Sequence, residues 1–290
     1  MSNSARTLLV DAEKRFKSAG IDSARVDAEL LLAHALGISR NGISLLQEID
    51  ESQKKEFEKL CQLRQQRIPL QHLTGEQGFR RLNLKVGKGV FIPRPETELL
   101  VESAVRYLKE LPSSKVIDFC SGSGAIAISL ATEVPNCQVI AVEVSEGAVE
   151  YLKKNIEKYQ DQIDKNNSSI EVVTIDIKDF VETERSFDAI VSNPPYIPEK
   201  MVPKDPEVAL HDPKIALFSG LDGLDLIREI IQKSSLLLKT GGFIGIEHAE
   251  LQGDRETGVP GVLKNAGGFG AIEDRKDLNG LARYTVAEKI

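Results

Sequence analysis

The chain of 290 residues is poor in the residues that build disulfide or metal frameworks. It has three cysteines, Cys61, Cys120 and Cys137, an odd number with no C-x-x-C pair, which excludes a disulfide scaffold and a zinc ribbon. Its four histidines, His34, His72, His211 and His248, lie far apart without ligand spacing, so no metal site is expected. No apolar run approaches the ~20 residues that a membrane helix requires. The opening Met1-Ser2-Asn3-Ser4-Ala5-Arg6-Thr7 lacks the basic-then-apolar layout of a secretory signal, and Asp11 and Glu13 follow closely. A cytoplasmic location away from membranes is expected. A basic excess is also missing: 37 Lys and Arg face 44 Asp and Glu, a net charge of −7. Proteins that grip long nucleic acid usually carry a basic stripe that neutralises phosphates, so direct nucleic-acid binding is not expected. A local patch of Arg64, Arg67, Arg80 and Arg81 reads more simply as a solvated charged face.

What is present is a soluble composition, 41% hydrophobic and 28% charged, at a length that suits one large or two modest domains. From Ser4 to about Arg67, Leu8, Leu9, Ala28, Leu31, Leu32, Ala35 and Leu36 recur at three- and four-residue steps, which predicts a small helical bundle. Gly20 and Gly37 mark helix ends, and Asp22-Ser23 a helix start. Phe79 to Val86 alternates apolar and polar, Gly87-Lys88-Gly89 turns, and Val90-Phe91-Ile92 follows, a pattern that predicts a β-hairpin. Pro95 and early acids then open a helix over Leu99–Lys109. The expected domains are residues 1–75, helical; 76–95, a hairpin linker; and 96–290, α/β.

From Ser114 strands alternate with helices, the signature of a parallel sheet with crossover helices. Strands are expected near 116–120, 138–144, 170–176, 187–193, 242–248, 271–275 and 283–287, enough for one doubly wound domain. Helices are expected near 124–133, 146–159, 222–238 and 254–265, with loops at 161–168 and 198–219. A loop as long as the second is commonly functional.

Four of these strands end in groups suited to a ligand. Asp118-Phe119-Cys120-Ser121-Gly122-Ser123-Gly124 joins the first strand to its helix. Gly122 and Gly124 allow a tight turn and close ligand approach, and Ala127 completes a Gly-x-Gly-x-x-Ala pattern. Glu143 follows Gly124 by 19 residues, where a carboxylate commonly holds the hydroxyls of an adenosine ribose. Asp176 ends the third strand and could bond an adenine amino group, or simply cap a turn. Asn193-Pro194-Pro195-Tyr196 ends the fourth. Its prolines fix φ and push Asn193 out of the α region, so the segment is rigid before any ligand arrives. Asn193 both accepts and donates, the proline carbonyls accept, and Tyr196 offers a flat ring, which together suit a planar group bearing an NH2. A Pro-rich turn with Tyr196 as a packing residue is the plainer alternative. The glycine turn and Glu143 alone would fit a nicotinamide oxidoreductase or a non-catalytic nucleotide-binding module equally well.

The order of glycine-rich turn, acid after strand two, Asp after strand three and Asn-Pro-Pro-Tyr after strand four resembles class I S-adenosylmethionine-dependent methyltransferases that act on nitrogen. Gly89-Val-Phe-Ile-Pro-Arg-Pro-Glu-Thr-Glu98, Asp188-Ala-Ile-Val-Ser-Asn-Pro-Pro-Tyr-Ile197, the His211–Leu224 stretch and Asp277-Leu-Asn-Gly-Leu-Ala-Arg283 resemble, more narrowly, the HemK/PrmC family. The likeness runs in register from about Pro69 to the carboxyl end, while the helical leader matches in type more than in sequence. It implies a seven-stranded Rossmann-like methyltransferase domain behind a small helical bundle. The implied activity is protein-(glutamine-N(5)) methylation of the Gly-Gly-Gln tripeptide in class-1 peptide chain release factors, with S-adenosylmethionine as donor. The cofactor would fall on Cys120, Ser121, Gly122, Ser123, Gly124, Glu143, Asp176, Ile177 and Asn193. Substrate binding and catalysis would fall on Asn193, Pro194, Pro195 and Tyr196. The target NH2 would donate to the Asn193 side-chain oxygen and to the Pro194 carbonyl. Arg94 and Glu98 would help close the site. The chain departs from the family pattern at Cys120, where glycine is usual, at Glu143, where Asp or another residue is usual, and at Ile177, where an aromatic is frequent. The same tetrapeptide occurs in enzymes that methylate adenine in DNA or exocyclic amines in RNA; the acidic balance and the short leader weigh against those targets.

Overall fold

The structure, a computed structural model, describes residues 4–46, 48–182 and 186–290. The chain divides into two compact units. The first comprises the residues up to Glu76 together with Pro203–His211. Its helices are α1 (Ala5–Ser18), α2 (Ala24–Leu36), α3 (Glu51–Gln65), α4 (Leu70–Thr74) and, from the later segment, α8 (Pro206–His211). Ala5, Leu9, Ala12 and Phe16 repeat at steps of four, three and four and form one buried stripe of α1. With Leu31, Leu32, Phe57 and Leu60 they make the core of this unit. Asp50 opens α3 with a capping box to Gln53, and Gly37 closes α2 in the left-handed region at φ 64°. The expected Arg64 surface patch is different in fact. Arg64 is 3% exposed and bonds Asp27 and Glu207, each at 2.7 Å.

The second unit, Gln77–Val202 with Asp212–Ile290, begins in a two-stranded hairpin of β1 (Glu76–Phe79) and β2 (Leu82–Lys85). Its turn is at Arg80-Arg81, not at Gly87–Gly89, and Val90–Ile92 is not a strand. The reason lies in α7 (Glu146–Lys165), which occupies the free edge of β2: Asn83 N donates to the Tyr159 hydroxyl at 2.6 Å and Lys85 N to Asn155 Oδ1 at 2.7 Å. That edge of β2 is thereby closed to Val90–Ile92.

The main sheet contains β3 (Ser114–Phe119), β4 (Cys137–Glu143), β5 (Ser169–Thr174), β6 (Phe187–Ser192), β7 (Leu238–Glu247), β8 (Phe269–Lys276) and β9 (Ala282–Lys289), in the order β5-β4-β3-β6-β7-β9-β8. The first five run parallel, but β9 pairs antiparallel with β7 and β8 antiparallel with β9. The sheet is therefore mixed. The turn after β8 explains this, since Asp277 accepts from Asn279 N and Leu281 N and reverses the chain too tightly for a parallel crossover. Helices α5 (Thr97–Leu108), α6 (Ala125–Glu133), α7, α9 (Asp225–Leu237) and α10 (Val259–Ala266) cover the sheet. Residues 161–165, expected in a loop, continue α7 because Ile163 extends the stripe of Leu152, Ile156 and Tyr159. No helix among the described residues is long and apolar enough to cross a membrane.

Candidate functional site

Parallel pairing brings the strand ends together. Phe119 is in register with both Val142 and Ser192, and Glu143 with Thr174. Ser192 Oγ also donates to the Phe119 carbonyl at 2.7 Å, so Cys120 and Asn193 leave the sheet side by side. This is the carboxyl edge at which open α/β sheets bind ligands.

The turn after β3 has φ 61° at Cys120, 55° at Gly122 and 88° at Gly124. Cys120 thus adopts a glycine-like backbone at a cost of about 1 kcal/mol, the physical meaning of a glycine being usual there. At Gly124 the left-handed φ of 88° strains any L residue, and a Cβ would also stand 2.6 Å from the Leu152 side-chain end on α7. Ser121 N bonds the Val142 carbonyl and Asn155 Nδ2 bonds the Ser123 carbonyl, which fixes the loop to β4 and α7. Beneath it Asp118 is fully buried. Its Oδ2 accepts from Ala127 N at 3.1 Å, while Oδ1 is buried without a hydrogen-bond partner among the described residues. Burial pushes its carboxyl up to about 8.

Glu143 is half-buried, with Oε2 accepting from Gly122 N and Oε1 from Ser145 N, both at 2.8 Å. Each oxygen keeps a lone pair for a further donor. Asp176 accepts from Lys178 N at 2.9 Å and caps a short turn over Ile177–Asp179. Ile177 points into the core with Phe119, Phe180 and Phe187 and is 5% exposed.

On the adjacent strand, Asn193 Nδ2 donates to Thr97 Oγ1 at 3.1 Å, and among the described residues no donor reaches its Oδ1. Pro194 and Pro195 are buried, and the half-buried Tyr196 packs on the cluster of Leu224, Ile227 and Ile246. The main chain is fixed by distant partners. Gln252 Nε2 donates to the Tyr196 carbonyl at 2.9 Å, Ile197 N donates to the Leu217 carbonyl at 2.8 Å, and Ser219 N to the Ile197 carbonyl at 3.0 Å. Gly223, at φ 79°, is required for this contact, since a Cβ there would meet the Tyr196 carbonyl at 2.1 Å.

Glu247, at the end of β7, is 1% exposed, and its Oε2 has no hydrogen-bond partner among the described residues. Burial pushes its carboxyl up to about 7; Thr97, Arg283 and Tyr196 favour the charged form and Glu96 opposes it. Burial likewise raises the Tyr196 phenol and the Cys120 thiol.

Of the Ile92–Glu98 link, it is Thr97 that reaches the Asn-Pro-Pro-Tyr segment. Glu98, expected to help close the site, instead accepts from Arg80 N at 3.0 Å and holds the hairpin turn. Arg94 pairs with Asp212 at 2.8 Å and lies over the Phe91 ring. Sequence reasoning missed Thr97, Glu247 and Gln252. The signal for Glu247 was an acid ending a strand beside the Asn-Pro-Pro-Tyr strand; Thr97 and Gln252 carried none. No group of three or more His, Cys, Asp or Glu suited to a metal ion occurs among the described residues.

A seven-stranded sheet in this order, with a glycine turn after β3 and Asn-Pro-Pro-Tyr after the adjacent, central strand β6, defines a methyltransferase. Residues 94–209 match the methyltransferase small domain family and residues 7–75 the PrmC N-terminal domain family. The release factor glutamine methyltransferase of Mycolicibacterium smegmatis is 41% identical over 289 residues, 98% of each chain. That of Streptomyces coelicolor is 38% identical over 284 residues, 97% of this chain and 96% of the relative. That of Clostridium acetobutylicum is 34% identical over 268 residues, 90% of both. The chain belongs to the release factor glutamine methyltransferase family.

Proposed function

We propose that this protein transfers a methyl group from S-adenosylmethionine to the side-chain nitrogen of the glutamine in the Gly-Gly-Gln motif of class-1 peptide chain release factors, in the cytoplasm. The observation that carries the reading is the Asn193 amide, anchored by its NH2 to Thr97 with its oxygen free, beside the glycine turn at one strand edge, in a chain that aligns with release factor glutamine methyltransferases along almost its whole length.

The residues at the β3–β5 ends fit the cofactor. The turn Cys120-Ser121-Gly122-Ser123-Gly124 would hold its methionine part, helped by the unpartnered buried oxygen of Asp118. Glu143 would take the ribose hydroxyls on its remaining lone pairs, and Asp176 and Ile177 would border the adenine. When bound, S-adenosylmethionine supplies a methyl group on a sulfonium sulfur, a strong electrophile.

The chain's own residues must manage a poor nucleophile, because the lone pair of an amide nitrogen is delocalised into its carbonyl. Asn193 Oδ1 accepts one hydrogen of the target NH2 and the Pro194 carbonyl accepts the other. These bonds build electron density on nitrogen and orient it. Tyr196 packs against the planar amide. The prolines keep both acceptors in place before the substrate arrives, so alignment and preorganised dipoles make the main contribution. The alkylated nitrogen is strongly acidic and gives its proton to water after transfer.

A labelled-methyl assay tests this with the release factor, the same factor lacking the motif glutamine, DNA and RNA offered separately. Label in the intact factor alone is expected. Equal label in the glutamine-less factor, or label in DNA or RNA instead, would overturn the reading.

A further inference from the structure

We propose that Gln252 is a positioning residue for the acceptor side of the site: with the two hydrogens of one side-chain amide it pins both the start and the end of the long loop that follows Asn193-Pro194-Pro195-Tyr196, and so sets where that segment stands. The inference rests on the reading above and extends it to a residue outside the segment.

Gln252 lies in the short turn Glu250–Gly253 after β7 and is 7% exposed. Its Nε2 donates to the Tyr196 carbonyl at 2.9 Å and to the Asp222 carbonyl at 3.1 Å, while its Oε1 accepts from Ala249 N at 3.0 Å. All three partners are main-chain groups. An N–H only donates and a carbonyl only accepts, so the Gln252 amide has a single orientation that satisfies them. Tyr196 and Asp222 are the residues at which the loop opens and closes. Between them the two arms bond each other: Ile197 N to the Leu217 carbonyl at 2.8 Å, Ser219 N to the Ile197 carbonyl at 3.0 Å and Glu199 N to the Gly220 carbonyl at 2.9 Å. These bonds join arm to arm, whereas Gln252 joins both arms to the end of β7. Room is kept for its amide by Gly223, where a Cβ would stand 2.6 Å from Nε2. The Asp222 side chain offers no substitute, since its carboxylate accepts from Leu224 N and pairs with Arg228.

The prolines of the segment have no N–H with which to anchor it. Without the Gln252 NH2 the Tyr196 and Asp222 carbonyls lose this donor, and the Tyr196–Ile197 peptide is free to turn. That rotation moves the Tyr196 ring and tilts the Pro194 carbonyl, the two groups set against the target amide. The turn after β3 takes no part in this arrangement, because Ser121 N bonds the Val142 carbonyl and Gly122 N bonds Glu143. Loss of Gln252 should therefore separate the acceptor side from the cofactor side.

The test compares wild type with Gln252→Met, Gln252→Glu and Tyr107→Phe. It measures kcat on a release factor, Kd for S-adenosylmethionine by calorimetry, and hydrogen exchange of the amides in 197–199 and 217–220. Gln252→Met, which keeps the bulk and removes the bonds, should lower kcat by about 10- to 100-fold with Kd within about twofold. Exchange of the loop-stem amides should quicken by about 10-fold or more, as expected when buried carbonyls lose their donor, while 137–143 stays protected. Gln252→Glu keeps the acceptor for Ala249 N and lacks the NH2, so its kcat should fall to within about threefold of that of Gln252→Met. Near-normal turnover there would assign the role to the Ala249 bond and overturn the inference. Tyr107→Phe loses a bond of the same kind, to the Gly241 carbonyl at 2.7 Å near the start of β7. It should keep kcat and stem exchange within about twofold of wild type. A loss there equal to that of Gln252→Met would trace to general loosening and overturn the inference as well. So would unchanged stem exchange or unchanged kcat in Gln252→Met, or a Kd weakened as much as kcat falls. Should Gln252→Met not fold, Gln252→Glu is read in the same way; failure of both to fold would make Gln252 a residue of the fold and refute a positioning role. If wild type transfers no label to a release factor, the function proposed above fails, whereas the exchange measurement still decides what Gln252 holds.

Discussion

Along the carboxyl edge of the sheet, the part at β3 and β4 is held mainly by main-chain groups, and the part at β6 and β7 mainly by side chains. At the first, Gly122 N and Ser145 N grip Glu143, and Ser121 N grips the Val142 carbonyl; the Gly122–Glu143 bond spans 21 residues. At the second, Asn193 depends on Thr97 across 96 residues and Tyr196 on Gln252 across 56. A turn made from main chain keeps its geometry whatever side chains surround it, so long as glycines stand at its left-handed positions. A constellation of side chains is directional and keeps one arrangement only while every partner is present. Under the proposed function, the first region would take the cofactor and the second the acceptor.

Substitutions should separate the two regions. The largest effect is expected for Asn193→Ala, which removes the proposed acceptor of the target NH2: kcat should fall by about 10²–10³-fold while calorimetry finds cofactor affinity nearly unchanged. Near-normal turnover would remove Asn193 from the chemistry. Gly223→Ala comes next, because it forces an L residue to φ 79° and drives a Cβ into the Tyr196 carbonyl. Strain and overpacking together should cost about 2–4 kcal/mol, read as a lowered denaturation midpoint, with turnover reduced in the protein that remains folded. Glu143→Ala should weaken cofactor binding by about 10- to 30-fold and leave kcat at saturating cofactor little changed, the converse of Asn193→Ala. If both substitutions altered Kd and kcat alike, the division between the regions would fail.

The smallest effect concerns pH. The ordinary value of Asp118 is 3.8 and burial raises it to about 8, so the folded state retains a proton that the unfolded chain releases. Stability from this group is full below its ordinary value, declines as pH rises through the interval, and levels off above about 8. Glu247, raised from 4.5 to about 7, acts in the same sense over a shorter interval. Asp118→Asn should make the fall in Tm between about pH 5 and about pH 8.5 smaller by about 2–4 °C; an unchanged fall would show that Asp118 is ionised in the fold.

Much of the first region was legible in the chain, because its parts are short and local. The glycines, Glu143 and the strands before them stand in one continuous stretch, and alternation of strand and helix predicts the parallel order. The second region was legible only at Asn193-Pro194-Pro195-Tyr196. Thr97 lies in a link whose charged residues, Arg94 and Glu98, drew attention to themselves and proved to bond Asp212 and Arg80. The hairpin shows the same limit: alternation predicted extended chain at Phe79–Val86, yet Tyr159 and Asn155 of α7 decided where it could pair.

The sequence by itself determined that the chain forms helices followed by an α/β sheet, that a glycine turn and an acid stand at successive strand ends, and that a rigid Asn-Pro-Pro-Tyr segment stands on a third. These follow from backbone restrictions and side-chain periodicity, which act over a few residues. Only the tertiary structure decided that β9 and β8 close the sheet antiparallel, that the Asp118 and Glu247 carboxyls are buried, and that Thr97 receives the Asn193 amide. Burial and hydrogen-bond direction are properties of what surrounds a group, and those surroundings come from residues tens to nearly a hundred positions away.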